Sequence, residues 1–278
     1  MKIKLNNGVE MPRIGYGVYQ VSPDECERCV SDALKVGYRM IDTAQAYNNE
    51  EGVGAAIAKC GIPRNELFIV SKIWISNYGY DKARKSIDES LRKLGTDHID
   101  LMLLHQPYCD RYGAYRALED AYKEGKLRAI GVSNFYPDHF IDLAENVEII
   151  PAVNQVETHV FNQQTIARKY MEEFGTRVMS WSPLAEGRKN FFTNPVLEKI
   201  GQKYGKSVAQ VALRWLTQLG IIIIPKSVHI ERMEQNLDIL DFTLSESDMA
   251  EIALLDTGKS LFFDHHNPET VKMFMGWR

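Results

Sequence analysis

Disulfide-grade cysteine is missing from this chain: only four of its 278 residues are Cys, at positions 26, 29, 60 and 109. A chain this long buries enough of its surface to fold without covalent staples. So few cysteines also suggest a reducing compartment. Cys26 and Cys29 form a C-x-x-C, but no second pair or His pair follows at zinc-site spacing. They sit in Asp24-Glu-Cys-Glu-Arg-Cys-Val-Ser-Asp-Ala-Leu34, which reads as a helix. Long apolar runs are missing too. Stretches such as Ile221 to Ile224 are far too short to span a bilayer. Met1-Lys-Ile-Lys-Leu-Asn-Asn-Gly8 has no apolar core of a signal peptide, so a cytoplasmic location is the expectation. An excess of positive charge is lacking, since 33 Lys and Arg face 37 Asp and Glu, for a net charge of −4. That argues against a global grip on nucleic acid or anionic membrane, so any anion site must be local. No internal repeat, linker or low-complexity segment interrupts the chain, which reads as one domain over residues 1–278.

What is present is an alternation. Lys2–Leu5 and Val9–Met11 flank Asn6-Asn7-Gly8, a hairpin signal. Eight short apolar runs follow: Arg13–Gly15, Arg39–Ile41, Leu67–Val70, Ile99–Leu104, Ala129–Val132, Val153–Val156, Arg177–Trp181 and Ile221–Ile224. Most lack strict polar alternation, as expected of parallel strands buried on both faces. Helical patterns separate them: Glu25–Lys35, Glu51–Ala58, Lys82–Leu94, Tyr115–Glu124, Asp138–Asn146, Gln163–Phe174 and Val208–Gln218, with Arg232–Leu240 after the last run. Ser22-Pro23-Asp24-Glu25 predicts a capping box, Ser207 a plain N-cap, and Gly37, Gly95, Gly125 and Gly220 fall where helices should stop.

Eight βα units in this length predict an α/β fold, a (β/α)₈ TIM barrel with an N-terminal β-hairpin. An open doubly wound sheet wants G-x-G-x-x-G after its first strand, and Gly15-Tyr-Gly17-Val-Tyr-Gln20 lacks the third glycine. The aromatic C-terminus carries Phe262, Phe263, Phe274 and Trp277, a liability if exposed, so it is expected to lie as a loop over the active-site face.

A TIM barrel gathers its active site at the C-terminal ends of its strands. The second run ends in Asp42, with Tyr47 in the loop beyond; the third ends in Lys72 and the fourth in His105. Alone, each has an ordinary reading: a helix cap, a solvated cation, a hydrogen-bonded core histidine. Jointly they differ, because steps of 30 and 33 residues put Asp42, Lys72 and His105 about one βα unit apart, at matching heights on neighbouring strands. A metal-dependent barrel hydrolase would want several strand-end histidines, and of seven His only His105 ends a run. No metal site is expected.

Over nearly its whole length the chain resembles the aldo-keto reductase superfamily. The resemblance rests on six ordered motifs: Gly37-Tyr-Arg-Met-Ile-Asp-Thr-Ala-Gln-Ala-Tyr47-Asn-Asn-Glu-Glu51, Asp97-His-Ile-Asp-Leu-Met-Leu-Leu-His105, Gly131-Val-Ser-Asn-Phe135, Asn154-Gln-Val-Glu157, Trp181-Ser-Pro-Leu184 and Ile224-Pro-Lys-Ser227. It implies carbonyl reduction by NADPH with Asp42, Tyr47, Lys72 and His105 as the catalytic tetrad. Chemically, free tyrosine is too weak an acid at neutral pH. A neighbouring lysine cation, held by Asp42, is expected to lower the Tyr47 pKa, while His105 donates to the same carbonyl oxygen.

The resemblance also implies the cofactor residues. Ser133, Asn134 and Gln155 would hold the nicotinamide amide, and Trp181 would stack on its ring. Ser182, Pro183 and Leu184 would meet the pyrophosphate. Gly17, Val18 and Tyr19, after the first run, join them with Asp42. Lys226, Ser227 and Arg232 would read the 2′-phosphate, favouring NADPH over NADH, with Gln235 and Asn236 near the adenine. Relatives often carry Glu where Gln235 stands. Tyr19, Tyr47, Trp74, His105 and Gln106 are the expected substrate residues. Where many relatives have His-Trp-Pro, this chain has His105-Gln106-Pro107, predicting a roomier, more polar pocket. A small carbonyl compound is the expected partner, with neither nucleic acid nor membrane, and a monomer is expected. The alternative is a catalytically idle NADP(H)-binding protein with a regulatory or structural role, against which the complete tetrad argues.

Overall fold

Gly8, at φ +89°, closes the Asn6-Asn7-Gly8 turn, and the antiparallel strands β1 (Lys2–Lys4) and β2 (Glu10–Pro12) pair Ile3 with Met11. The computed structural model describes residues 1–278. After the hairpin come eight parallel strands in sequence order: β3 (Tyr16–Gly17), β4 (Met40–Asp42), β5 (Phe68–Ile73), β6 (Leu101–Leu104), β7 (Ile130–Ser133), β8 (Val153–Glu157), β9 (Arg177–Trp181) and β10 (Ile222–Ile223). Ile14 bridges Ile223, and Gly15 N donates to Ile223 O at 2.9 Å, so the first and last strands meet and the sheet closes into a barrel. The first strand is displaced from the expected Arg13–Gly15. Residues 13–15 pair with β10 while 16–17 pair with β4, because strands in a closed barrel are staggered and meet their two neighbours at different heights.

Eleven α-helices surround or cover the barrel: α1 (Pro23–Val36), α2 (Glu50–Lys59), α3 (Tyr80–Leu94), α4 (Arg111–Lys123), α5 (Pro137–Ala144), α6 (Thr165–Glu173), α7 (Pro195–Tyr204), α8 (Val208–Gln218), α9 (Ile230–Leu237), α10 (Glu246–Ala253) and α11 (Pro268–Met275). Ser207 forms a full capping box with Gln210 at the start of α8. Ser22 does not form the expected box: its hydroxyl turns to Glu25 Oε2 at 3.4 Å and leaves the α1 backbone uncapped by a side chain. The C-terminal segment carries α11, where a loop was expected.

The buried side chains fall into two clusters, one on each side of the sheet. The outer one, 59 residues, packs strand residues such as Ile41, Ile69 and Val132 against the helices. The inner one, 14 residues, joins Met40, Val70, Leu103, Val153, Met179 and Ile222 to Ile3, Leu5 and Met11 of the hairpin, which plugs the barrel's lower end. Side chains along a strand alternate between faces, so the residue two further on again points inward, one layer higher. Met40 leads to Asp42, Val70 to Lys72, Leu103 to His105, Gly131 to Ser133, Val153 to Gln155 and Met179 to Trp181. The apolar plug and the polar site are therefore successive layers of one interior.

Gly131 lies in this interior. A Cβ there would meet Leu103 Cδ2 at 2.9 Å and the Val153 carbonyl oxygen more closely still. Gly131→Ala is expected to destabilise the fold by about 1–3 kcal/mol through overpacking between rigid strands. Urea denaturation at unchanged slope would measure it, and a midpoint equal to the parent's would refute it.

Candidate active site

Lys72 is the centre of the arrangement. It is wholly buried on β5 and spends all three ammonium hydrogens on protein: Asp42 Oδ1 at 2.6 Å, the Thr43 carbonyl at 2.9 Å and Tyr47 Oη at a longer 3.5 Å. Asp42, at the end of β4, accepts on its other oxygen from Gln155 Nε2 at 2.8 Å. Tyr47 ends a short 3-10 turn, Gln45–Tyr47, and its ring packs edge-on to His105 with centroids 5.7 Å apart. Asn49 holds the Tyr47 loop in place: its amide nitrogen donates to the Val18 and Val21 carbonyls, and its oxygen accepts from Thr43 Oγ1 at 2.7 Å.

Electrostatics at the site depart from expectation. The Tyr47 hydroxyl is held well above its ordinary pKa, first by burial and then by the Asp42 charge. The expected lowering by Lys72 is absent because Asp42 already compensates that cation, while desolvation penalises a phenolate. Burial also pulls Lys72 down, against the opposing pull of Asp42. His105 sits well below its ordinary pKa through burial and then the Lys72 charge, so it is neutral. Neither His105 nitrogen bonds to protein, and only Nδ1 is fully enclosed. An enclosed N–H without a partner is rarer than an enclosed lone pair, so the proton belongs on Nε2, facing the cavity. Tyr47 and His105 thus present two neutral donors to one space.

That space is a cavity of about 730 Å³ above the tetrad. Gly17, Tyr19, Asp42, Ser133, Asn134, Gln155, Trp181 to Leu184 and Lys226 all reach it, as do Trp74 and Gln106. Val18 lies beneath, fully buried, with its N–H on the Asp42 carbonyl at 3.0 Å. Trp181 Nε1 donates to Asn134 Oδ1 at 2.9 Å, Asn134 Nδ2 donates to the His105 carbonyl, and Ser133 Oγ donates to the Gln155 carbonyl. Gln155 keeps Oε1 without a protein partner. Ser182, at φ +53°, has a buried hydroxyl with no hydrogen-bond partner. Ser227, Arg232, Gln235 and Asn236 stand apart from the cavity walls, along α9 and the turn before it. Ser227 is buried and bonded to the His229 backbone; Asn236 is buried; Arg232 and Gln235 are exposed. Lys226 and Arg232 are both exposed.

On the substrate side, Gln106 lies on the cavity wall. Its amide oxygen meets His265 Nε2 at 3.1 Å, and His265 packs against Tyr108 and Phe274, which also touch each other. Trp74 Nε1 donates to the Trp277 carbonyl at 3.0 Å. The C-terminal segment therefore bonds to both Gln106 and Trp74 and forms part of the cavity wall. Phe274 and Trp277, on the segment expected over the active-site face, do line the cavity, though from a helix and the turn after it rather than from a loop. Thr43 was missed, because a backbone acceptor leaves no residue-type signal.

The chain matches the Aldo/keto reductase family over residues 7–256. It is 47% identical over 256 residues to a glyoxal reductase of Bacillus subtilis, covering 91% of this chain and 92% of that one. It is 42% identical over 262 residues to the methylglyoxal reductase DkgA of Escherichia coli, covering 93% and 94%. Among solved structures, the aldo-keto reductase MGS-M4 from a deep-sea metagenome library superposes with a TM-score of 0.93 at 43% identity, covering 95% of this chain and 98% of that one. A Bombyx mori aldo-keto reductase in complex with NADP superposes at 0.90 with 33% identity, covering 98% and 96%. By sequence and by fold, this chain belongs to the aldo/keto reductase family.

Proposed function

We propose that this protein reduces aldehydes and ketones to alcohols with NADPH, and that Tyr47 gives the proton to the carbonyl oxygen. The observation that carries the reading is the Asp42–Lys72–Tyr47–His105 group at the cavity floor, with Asp42, Lys72 and His105 buried and Tyr47 half-buried. Tyr47 Oη accepts from Lys72, so its own hydrogen is free to point away from the lysine. His105 Nε2–H supplies a second donor, and two donors fix and polarise one carbonyl oxygen. NADPH, when bound, supplies a hydride to the carbonyl carbon. As negative charge develops on the substrate oxygen, Tyr47 gives up its proton, and the phenolate that remains is stabilised by Lys72. Asp42 keeps that cation charged and aimed. In the reverse direction the phenolate takes the alcohol proton.

The residues present fit such a cofactor. The buried Ser182 hydroxyl has no protein partner, and the Gln155 amide lies on the cavity wall, so both can bond a cofactor. Trp181 would lie against the nicotinamide, Ser133, Asn134 and Gln155 would hold its amide, and Gly17 to Tyr19 would border it. Ser182, Pro183 and Leu184 would meet the pyrophosphate. Lys226, Ser227 and Arg232 would hold the 2′-phosphate, with Gln235 and Asn236 toward the adenine. Arg232→Ala is expected to raise the NADPH KM by about 10- to 100-fold, the worth of a hydrogen-bonded charge pair. The NADH KM should barely move, and equal changes in both would remove the phosphate from this residue.

The relatives named for glyoxal and methylglyoxal favour small 2-oxoaldehydes as substrates here. Tyr19, Trp74 and Gln106, beside Tyr47 and His105, would form the walls around them. The same reading takes residues 1–278 as one barrel domain working as a monomer. A carbonyl panel followed by NADPH absorbance tests the function, and failure on every aldehyde would overturn it.

A further inference from the structure

We propose that Glu157 is a positioning residue: its buried carboxylate holds the first turn of the C-terminal cover, residues 260–263, and so sets where Phe262 and Phe263 stand in the substrate cavity. The proposal rests on the reductase reading for its kinetic consequence, though not for the contact itself. Glu157 ends β8, two residues beyond Gln155 on the same inward face, and is fully buried. It closes the motif Asn154-Gln-Val-Glu157, yet takes no part in the chemistry above.

Its two oxygens receive three donors. Leu261 N reaches Oε1 at 2.8 Å, His159 Nε2 reaches Oε1 at 3.0 Å, and Ser260 Oγ reaches Oε2. The hydrogens in this network are determined. His159 Nδ1 accepts from Phe161 N at 3.2 Å, so its proton is on Nε2. Ser260 Oγ accepts from Phe262 N at 3.0 Å and Phe263 N at 2.9 Å, so its single hydrogen goes to the carboxylate. Burial pushes Glu157 up, but His159, the Leu261 amide and the Ser260 hydroxyl outweigh it and hold the carboxyl below the usual range. Only an acceptor-only group of this length satisfies all three; an amide would present hydrogens where one of them donates.

The consequences run outward from Ser260. The turn it organises sets Phe262 edge-on to Trp181, with centroids 5.2 Å apart, and Phe263 against Phe274 at 5.6 Å. Both phenylalanines line the cavity. Arg188, from the loop after β9, bonds the Leu261 carbonyl and lies over the Phe262 ring at 4.0 Å. One buried carboxylate on the barrel therefore fixes the root of a segment that shares no strand with it.

Ser260→Ala and Glu157→Gln test this in the full chain, singly and together. Each single variant is expected to raise the carbonyl KM about tenfold, the loss expected for one hydrogen bond to a charged group, with kcat and the NADPH KM little changed. The double variant should be no worse than the poorer single one, since both break the same contact. Hydrogen exchange over residues 260–278 should quicken in both, with the barrel strands unchanged. Unchanged exchange in that segment, an unchanged carbonyl KM, or additive losses in the double variant would each overturn the proposal. Exchange needs no turnover, so a parent chain that reduces nothing would sink the reductase reading and leave the latch still judged by its own measurement.

Discussion

Tyr47→Phe is expected to lower kcat by about 10²- to 10⁴-fold, the range a positioned proton donor supplies, while NADPH binding stays near that of the parent. Only the hydroxyl is removed, and it bonds no protein group except Lys72, at 3.5 Å. The ring keeps its packing against Tyr19 and His105. The variant should therefore fold normally and bind cofactor without turning over. Stopped-flow measurement of the hydride step, beside fluorescence titration with NADPH, separates the two. Wild-type-like turnover would move the proton donor elsewhere, and lost cofactor binding would make Tyr47 a binding residue. Burial adds a pH signature: with Tyr47 raised and His105 lowered, neither should titrate between about pH 7 and 9. Tyr47 and His105 should therefore add no step to the forward rate there, whereas burial lowers Lys72 toward it; a loss in that interval that persists in Lys72→Met would contradict the assignment.

Lys72→Met is expected to damage both stability and turnover. Asp42 would remain buried with Gln155 as its only side-chain partner. Breaking a buried ion pair on one side costs about 3–5 kcal/mol, because the surviving charge is uncompensated. Turnover should fall by about 10²–10³-fold as the developing phenolate loses its cation. The double variant Asp42→Asn, Lys72→Met separates these effects. It should recover most of the stability in urea denaturation and none of the turnover. A single variant as stable as the parent would mean that Asp42 is not held charged by Lys72. A double variant that regains turnover would place the lysine outside the chemistry.

The site was more legible than the fold's periphery, for a physical reason. Asp42, Lys72 and His105 are polar groups following apolar strand residues, and each step between them is close to one βα unit. Strand alternation then converts position along the chain into height inside the barrel. The helices α7, α10 and α11 were not read, although each begins with a usable signal: Asn194-Pro195, Ser245 with Asp248, and Asn267-Pro268. They lie outside the βα repeat, so nothing in the alternation called for them. The Tyr47 pKa was misjudged for a different reason. Proximity to a lysine is visible in the motif, but burial and prior compensation of that lysine by Asp42 are not.

The order of strands, the closing count of eight and the residues meeting at their ends were all determined by the sequence alone, since they depend on spacing and on side-chain alternation along single strands. The tertiary structure decided what depends on surfaces far apart in the chain. It set the hairpin as a plug at one end of the barrel and gave the C-terminal cover, expected over the other end, its helix and its contacts. It brought Gln106 to His265 and Ser260 to Glu157, pairs separated by 159 and 103 residues. No local propensity encodes such a pairing, because it exists only where closure of the barrel brings those surfaces together.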